Sequence, residues 1–351
     1  KFKQNWATEI DDQAVLDACQ ESEHKFRKRE LDPITTVRLF LLQVLWGNTS
    51  CNHTVRLAGR DVTGSAYCTA RGRLPLAVLQ MLLTRCTAKM VEAVRDSGRW
   101  LGHRLFLIDG SSFSMPDTES LQEHFGQPGG QQPGCGFPVA HWLALVHFGS
   151  GLIQKVFTAP LRTHDLNGIT HVHPELEAGD VALGDRAFGS FVHLALLAAR
   201  GVFGIFRAHQ KLIVDFTPGR PHVQTSDRKT KRTGRPSSRW VQRLGPLDQI
   251  VEWFRPESCP SWLSAAAFAA LPTTLRVREL RYEIARPGFR VKNVTLVTTL
   301  LDAERYSRED LAAAYGLRWT IETCFGHLKT TMKMDVLKCK TVDGVLKELQ
   351  V

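Results

Sequence analysis

The sequence predicts an α/β protein: an all-α N-terminal region, then a sheet-containing domain interrupted by a β-rich insertion. Three observations carry this. Through about the first hundred residues, apolar positions recur at helical spacing behind capping residues. From Arg104 onward, short continuous apolar runs stop at charged residues, as strands buried on both faces do. Between about 210 and 290 the pattern breaks into short, irregular strand-like pieces.

The elements follow in order. Asp32-Pro33 is a helix start, with Asp as cap and Pro at the first position, and ITTVRLFLLQVLWG carries a broad apolar face to Gly47. SCNHTVRLAGR and VTGSAYCTARGRLP are two short amphipathic pieces joined near Gly59 to Gly64. They resemble a helix-turn-helix whose second helix presents Ser65, Thr69, Arg71 and Arg73, with Arg71 and Arg73 as candidate DNA contacts. A further helix covers Leu76 to Asp96. LFLI (105–108) reads as a strand stopping at Asp109, HWLALVHF and LIQKVFTA as a hairpin around Gly149-Ser150-Gly151, and DVALGDRAFGS as a strand stopping at Asp185. A helix, SFVHLALLAARG, and a strand, VFGIFRAH, complete this part. KLIVDF, RWVQRL, QIVEWF and LRVRELRYEI make the insertion, VTLVTTL returns to the sheet, and Ser307 caps a late helix. The expected domains are 1–100, helical and DNA-binding; 101–209 with 291–340, catalytic; 210–290, the insertion; and 341–351, the start of a C-terminal helical region.

Composition narrows the partners. Hydrophobic content of 43% and charged content of 23% are ordinary for a soluble globular chain. The 45 Lys+Arg against 35 Asp+Glu, a net charge of +10, favour a polyanion. No run of about 18 apolar residues is present to span a bilayer, and the N-terminus lacks the apolar core of a signal peptide. The eight cysteines are scattered with no CxxC pair, which fits a reducing cytoplasm and argues against a zinc site or disulfide scaffold. Both ends read as cut from a longer chain.

The chemistry concentrates in YGLRWTIETCFGHLK (315–329). On one continuous helix, Tyr315, Arg318, Glu322 and Lys329 fall within about 60° of one another, and Lys333 joins the same stripe. Leu317, Ile321, Cys324, Phe325, Leu328 and Met332 gather on the buried side. Taken alone, Arg318 and Glu322 make an ordinary surface pair. With Asp109 and Asp185 at strand ends they gain meaning. Three carboxylates from two strands and a helix suit a pair of Mg²⁺ ions, which want hard oxygen ligands and drive phosphoryl transfer. The element order fits an RNase H-like fold. In the insertion, Arg228, Lys229, Lys231, Arg232, Arg235, Arg239 and Arg243 have no acid among them, and read as a phosphate-contacting arm.

Three marks now carry a resemblance: IDGSSF with Asp109, GDRAFGS with Asp185, and Y-x2-R-x3-E-x6-K, matched in full by Tyr315, Arg318, Glu322 and Lys329. Over about 104–333 the sequence is similar to bacterial DDE transposases of the insertion sequence four family. The resemblance implies an RNase H-like catalytic domain with Asp109, Asp185 and Glu322 as metal ligands and catalytic residues. It implies two Mg²⁺ ions, with Mn²⁺ expected to substitute. Tyr315, Arg318 and Lys329 would hold DNA phosphates. The implied activity is binding of terminal inverted repeats, cleavage at the element ends and joining of the 3′-OH to target DNA. That requires double-stranded DNA, a homodimer in the DNA complex and no membrane, in a bacterial cytoplasm beside the nucleoid. One departure stands out. Val294 occupies the place where hairpin-forming relatives carry a base-flipping tryptophan, with Trp240, Trp253, Trp262 and Phe289 as possible substitutes. The alternatives are an RNase H-like nuclease without strand transfer and a catalytically silent repeat-DNA-binding protein; the intact acids argue against the second.

Overall fold

The computed structural model describes residues 10–351 apart from 96, 131, 133–135, 162, 164, 224–233, 285–292 and 332. The first helices are α1 (Asp12–Glu21), α2 (Pro33–Leu45), α3 (Cys51–Leu57), α4 (Gly64–Arg73) and α5 (Leu76–Ala93). Their starts are chemically marked. Asp32 accepts from the Thr35 amide at 2.8 Å with Pro33 at the first position, and Ser50 and Thr63 cap α3 and α4 in the same way. The expected helix pair therefore forms. At its junction, a Cβ on Gly64 would sit 2.2 Å from Asn52 Oδ1, so only glycine lets the two helices approach this closely.

After them come β1 (Leu105–Ser114), α6 (Glu119–Phe125), β2 (Val139–His147), β3 (Leu152–Pro160), α7 (Asp165–Val172), β4 (Val181–Gly184), α8 (Phe191–Ala199) and β5 (Phe203–Arg207). Next come β6 (Arg239–Gly245), β7 (Asp248–Phe254), α9 (Ala265–Ala269) and β8 (Thr274–Glu283). β9 (Asn293–Thr298), α10 (Arg308–Gly316), α11 (Trp319–Gly326) and α12 (Val342–Glu348) follow. Among the described residues, nine strands form one mixed sheet in the order β3-β2-β1-β4-β5-β9-β8-β7-β6. β1, β4 and β5 are parallel at its centre, with antiparallel strands on both sides. The strands expected as an insertion do not fold apart: β8 pairs with β9 and extends the same sheet.

Strict alternation along the strands puts a core on each face. Leu105, Leu107, Val181, Leu183, Ile205 and Leu296 face one way, into a cluster that also holds Val15, Phe40, Val78, Tyr315, Ile321 and Phe325. Phe106, Ile108, Ala182, Phe206 and Val297 face the other way, under α7 and α8. The N-terminal helices thus share one core with the sheet and with the helix that carries Tyr315. Among the described residues, no helix is long and apolar enough to cross a membrane.

Candidate active site

Three parallel strands reach one level together, and two of them end there. In register, Ile108 pairs with Gly184 and Gly184 with Phe206. The next residues are Asp109, Asp185 and Arg207, side by side on strands about 4.8 Å apart. This is the carboxyl edge of a parallel sheet, where open α/β folds hold their ligands. The sequence expectation that β1 stops at Asp109 is corrected. β4 leaves at Gly184, but β2 follows β1 out to Ser114, so Asp109 sits in mid-strand with a neighbour on one side only. That open side forms the crevice.

Each acid is locally fixed. Asp109 Oδ1 accepts from the Gly110 amide at 2.9 Å, and Asp185 Oδ1 accepts from the Ala187 amide at 2.7 Å. Ahead of Asp185, a Cβ on Gly184 would meet Phe188 at 2.8 Å and Phe206 at 3.1 Å, so the strand end is packed to the limit of glycine.

Glu322 arrives from α11, above β1. Ile321 and Phe325 are buried beneath it, Phe325 against Trp142 with ring centroids 6.0 Å apart. The buried side of this helix is as expected for Ile321 and Phe325; Leu317, Cys324 and Leu328 are half-buried, and Met332 lies outside the described residues. Arg318 joins the acids. Its guanidinium donates to Asp109 Oδ2 and to Glu322 Oε1, both at 3.4 Å, while its carbon Cζ stands 4.8 Å from the centre of the Trp319 ring. The Arg318 side chain is 11% exposed and that of Glu322 49%, so this cation is held inside the crevice and the third acid faces solvent.

The single continuous helix expected over 315–333 is also corrected. Between α10 and α11 the amides of Leu317, Arg318, Thr320 and Ile321 bond three residues back, which tightens the helix. At 327–331 it loosens into a π turn. Tyr315 is consequently buried in the core. Burial raises its phenol pKa, and the charges acting on it are those of Arg318, Arg207 and Asp185. Lys329 is half-buried, its Nζ 5.4 Å from the ring of Phe113, four residues beyond Asp109 on β1. Lys333 leaves the stripe. It lies beyond the helix with φ of 56°, its stem against Gly47.

The other candidates are scattered. Arg73 and Arg235 are exposed, and Arg239 is exposed in an ion pair with Glu252. Arg71 turns inward, donating to Gln43 Oε1 at 2.8 Å and lying over Phe40, so it does not present itself beside Arg73 as expected. Arg228, Lys229, Lys231, Arg232 and Phe289 lie outside the described residues. Val294 is buried on β9, and Trp253 is locked by its donation to Glu279 at 3.0 Å. Arg207 was missed by sequence reading, yet its signal was available. FGIFR is a third apolar strand ending on a charge, like LFLID and VALGD.

Carboxylates on adjacent strands, with cations from β5, the turn before α11 and the π turn, make a site suited to phosphate esters. Its all-oxygen acids match the taste of a hard divalent ion. The match is incomplete: among the described residues no three His, Cys, Asp or Glu side chains stand close enough to cage a metal. Arg318 occupies the ground between Asp109 and Glu322 instead. The family model that the chain matches is the transposase DDE domain, over residues 100–351. This is well over half of its length, and the chain belongs to that family. It is a transposase, of a family that acts on DNA and generally uses divalent metal ions. No curated protein matches the chain.

Proposed function

We propose that this transposase, of the insertion sequence four type, binds the terminal inverted repeats of its element. It then cleaves the DNA at those ends and joins the freed 3′-OH to target DNA, acting as a homodimer on two ends. The observation that carries the reading is the register that sets Asp109 and Asp185 side by side at the crevice, with Glu322 linked to Asp109 through Arg318. Asp109 and Asp185 are the residues to hold divalent ions, Mg²⁺ by preference, and Glu322 completes the set once Arg318 yields the space. When bound, such ions supply the positive charge that activates the attacking oxygen and steadies the leaving one.

The chain's own groups do the positioning. Arg207 and Lys329 offer charge to phosphates on either side of the acids, and the buried Tyr315 fixes the angle of the turn that carries Arg318. Exposed Arg73 and Arg235, and the run Arg228, Lys229, Lys231 and Arg232, neutralise the backbone at a distance without reading bases. The test is Asp185→Asn on DNA bearing the element's ends. It should abolish divalent-ion-dependent nicking and joining while retaining end binding, because it removes ligand charge and no phosphate contact. Normal nicking by that variant overturns the assignment. Nicking without joining by the parent protein would favour a nuclease.

A further inference from the structure

We propose that the N-terminal helices carry a second DNA site, a cationic pocket that accepts an unpaired nucleotide of a single strand. A cavity of about 420 Å³ lies between the segment that precedes α2 and the last turn of α4. His24, Lys25, Phe26, Arg27, Arg29 and Arg73 line it, and among the described residues no carboxylate does. Lys25, Arg27, Arg29 and Arg73 are all exposed, and none forms an ion pair with another described residue. Four permanent cations around one hollow repel one another, and a polyanion relieves that repulsion.

The aromatic content selects the kind of polyanion. Phe26 is 37% exposed and is backed by the His24 ring, 5.9 Å away and tilted by 26°. A supported, accessible aromatic ring inside a ring of cations is the combination that stacks a base while holding its phosphates. The volume falls within the range of small-molecule sites. It admits one nucleotide and excludes a duplex, whose paired bases cannot enter a concave hollow. Arg73 belongs to α4, the second helix of the helix-turn-helix-like pair. The pocket therefore adjoins the surface proposed above for duplex DNA, and would receive a strand where the duplex opens.

This inference rests on the proposed action on DNA only for its choice of polymer. Its test is run without divalent ions, so the carboxylates take no part and a failure of either reading can be told from a failure of the other. Fluorescence anisotropy of the full chain compares a short labelled DNA single strand, its duplex and an RNA strand of the same sequence. Phe26→Ala should weaken single-strand DNA binding about tenfold or more and leave duplex binding within about twofold, and Phe26→Trp should retain affinity. Arg27→Ala with Arg29→Ala should weaken single-strand binding and flatten its salt dependence by about one unit of slope. Equal effects of Phe26→Ala on strand and duplex, or none on either, overturn the proposal. So does an unchanged salt slope in the arginine variant, or tighter binding of the RNA strand.

Discussion

Arg318→Ala is the perturbation that most directly probes how the crevice is held. In the folded chain its guanidinium stands 3.4 Å from both Asp109 and Glu322 and 4.8 Å from the centre of the Trp319 ring. Each ion pair is partly solvated and worth about 0.5–1 kcal/mol, and the contact with the indole adds a similar amount. Loss of all three should destabilise the protein by about 2 kcal/mol. Divalent-ion binding should move the other way. In a water-like dielectric a unit charge repels a divalent ion at contact range by about 1–2 kcal/mol, so removal of the guanidinium should tighten ion binding roughly five- to thirtyfold. Isothermal titration with Mn²⁺ on DNA-free protein measures this, alongside urea unfolding. Arg318→Lys keeps the charge and should stay near the parent value. Weaker or unchanged ion binding in the alanine variant, at unchanged stability, would refute the idea that Arg318 occupies cation space between the acids.

Two further outcomes test the scaffold. Arg278 donates to both oxygens of Asp248, at 2.8 and 2.5 Å, and to the Tyr306 carbonyl at 2.6 Å, just before the Ser307 cap of α10. Asp248→Ala should therefore cost about 3–5 kcal/mol in urea unfolding by leaving a buried guanidinium uncompensated, whereas Arg278→Met with Asp248→Leu should recover most of the loss; a small effect of the single change would refute this. His173 and His193 stack at 5.1 Å with Nε2 atoms 3.1 Å apart, and burial pushes both pKa values below the ordinary range. Below about pH 6.5 the unfolded chain takes up these protons and the folded chain resists them, so stability should fall by about 1.4 kcal/mol per pH unit for each histidine. Unfolding of the parent and of His193→Asn at pH 7 and pH 5 checks it, and equal pH slopes in the two proteins would count against it.

Much of the site was legible along the chain because local rules governed it. Asp109 and Asp185 end or interrupt apolar runs, and buried strands announce their exposed edge in that way. The caps at Asp32 and Ser307 are written in residue type and position, because orphan amides at a helix start are satisfied by nearby side chains. Glu322 and its buried partners Ile321 and Phe325 follow helical spacing. What spacing could not contain was the behaviour of the backbone under packing. The helix over 315–333 tightens after Gly316 and loosens at 327–331, so Tyr315 sinks into the core and Lys333 swings away to Gly47. Arg71 turns inward because Gln43 and Phe40, distant in sequence, offer its guanidinium an acceptor and a ring, beside the Tyr67 ring one turn back on its own helix. The strands β6 to β8 join the main sheet because β9 pairs with β5 on its other side, a pairing between distant segments that no local pattern specifies. The sequence by itself determined which residues carry charge, where most strands and helices lie, and that Asp109 and Asp185 interrupt apolar runs. Tertiary structure decided strand order, register and side-chain direction. It thereby set Arg207 level with Asp185 and put Arg318 between Asp109 and Glu322, since these depend on contacts between segments far apart in the chain.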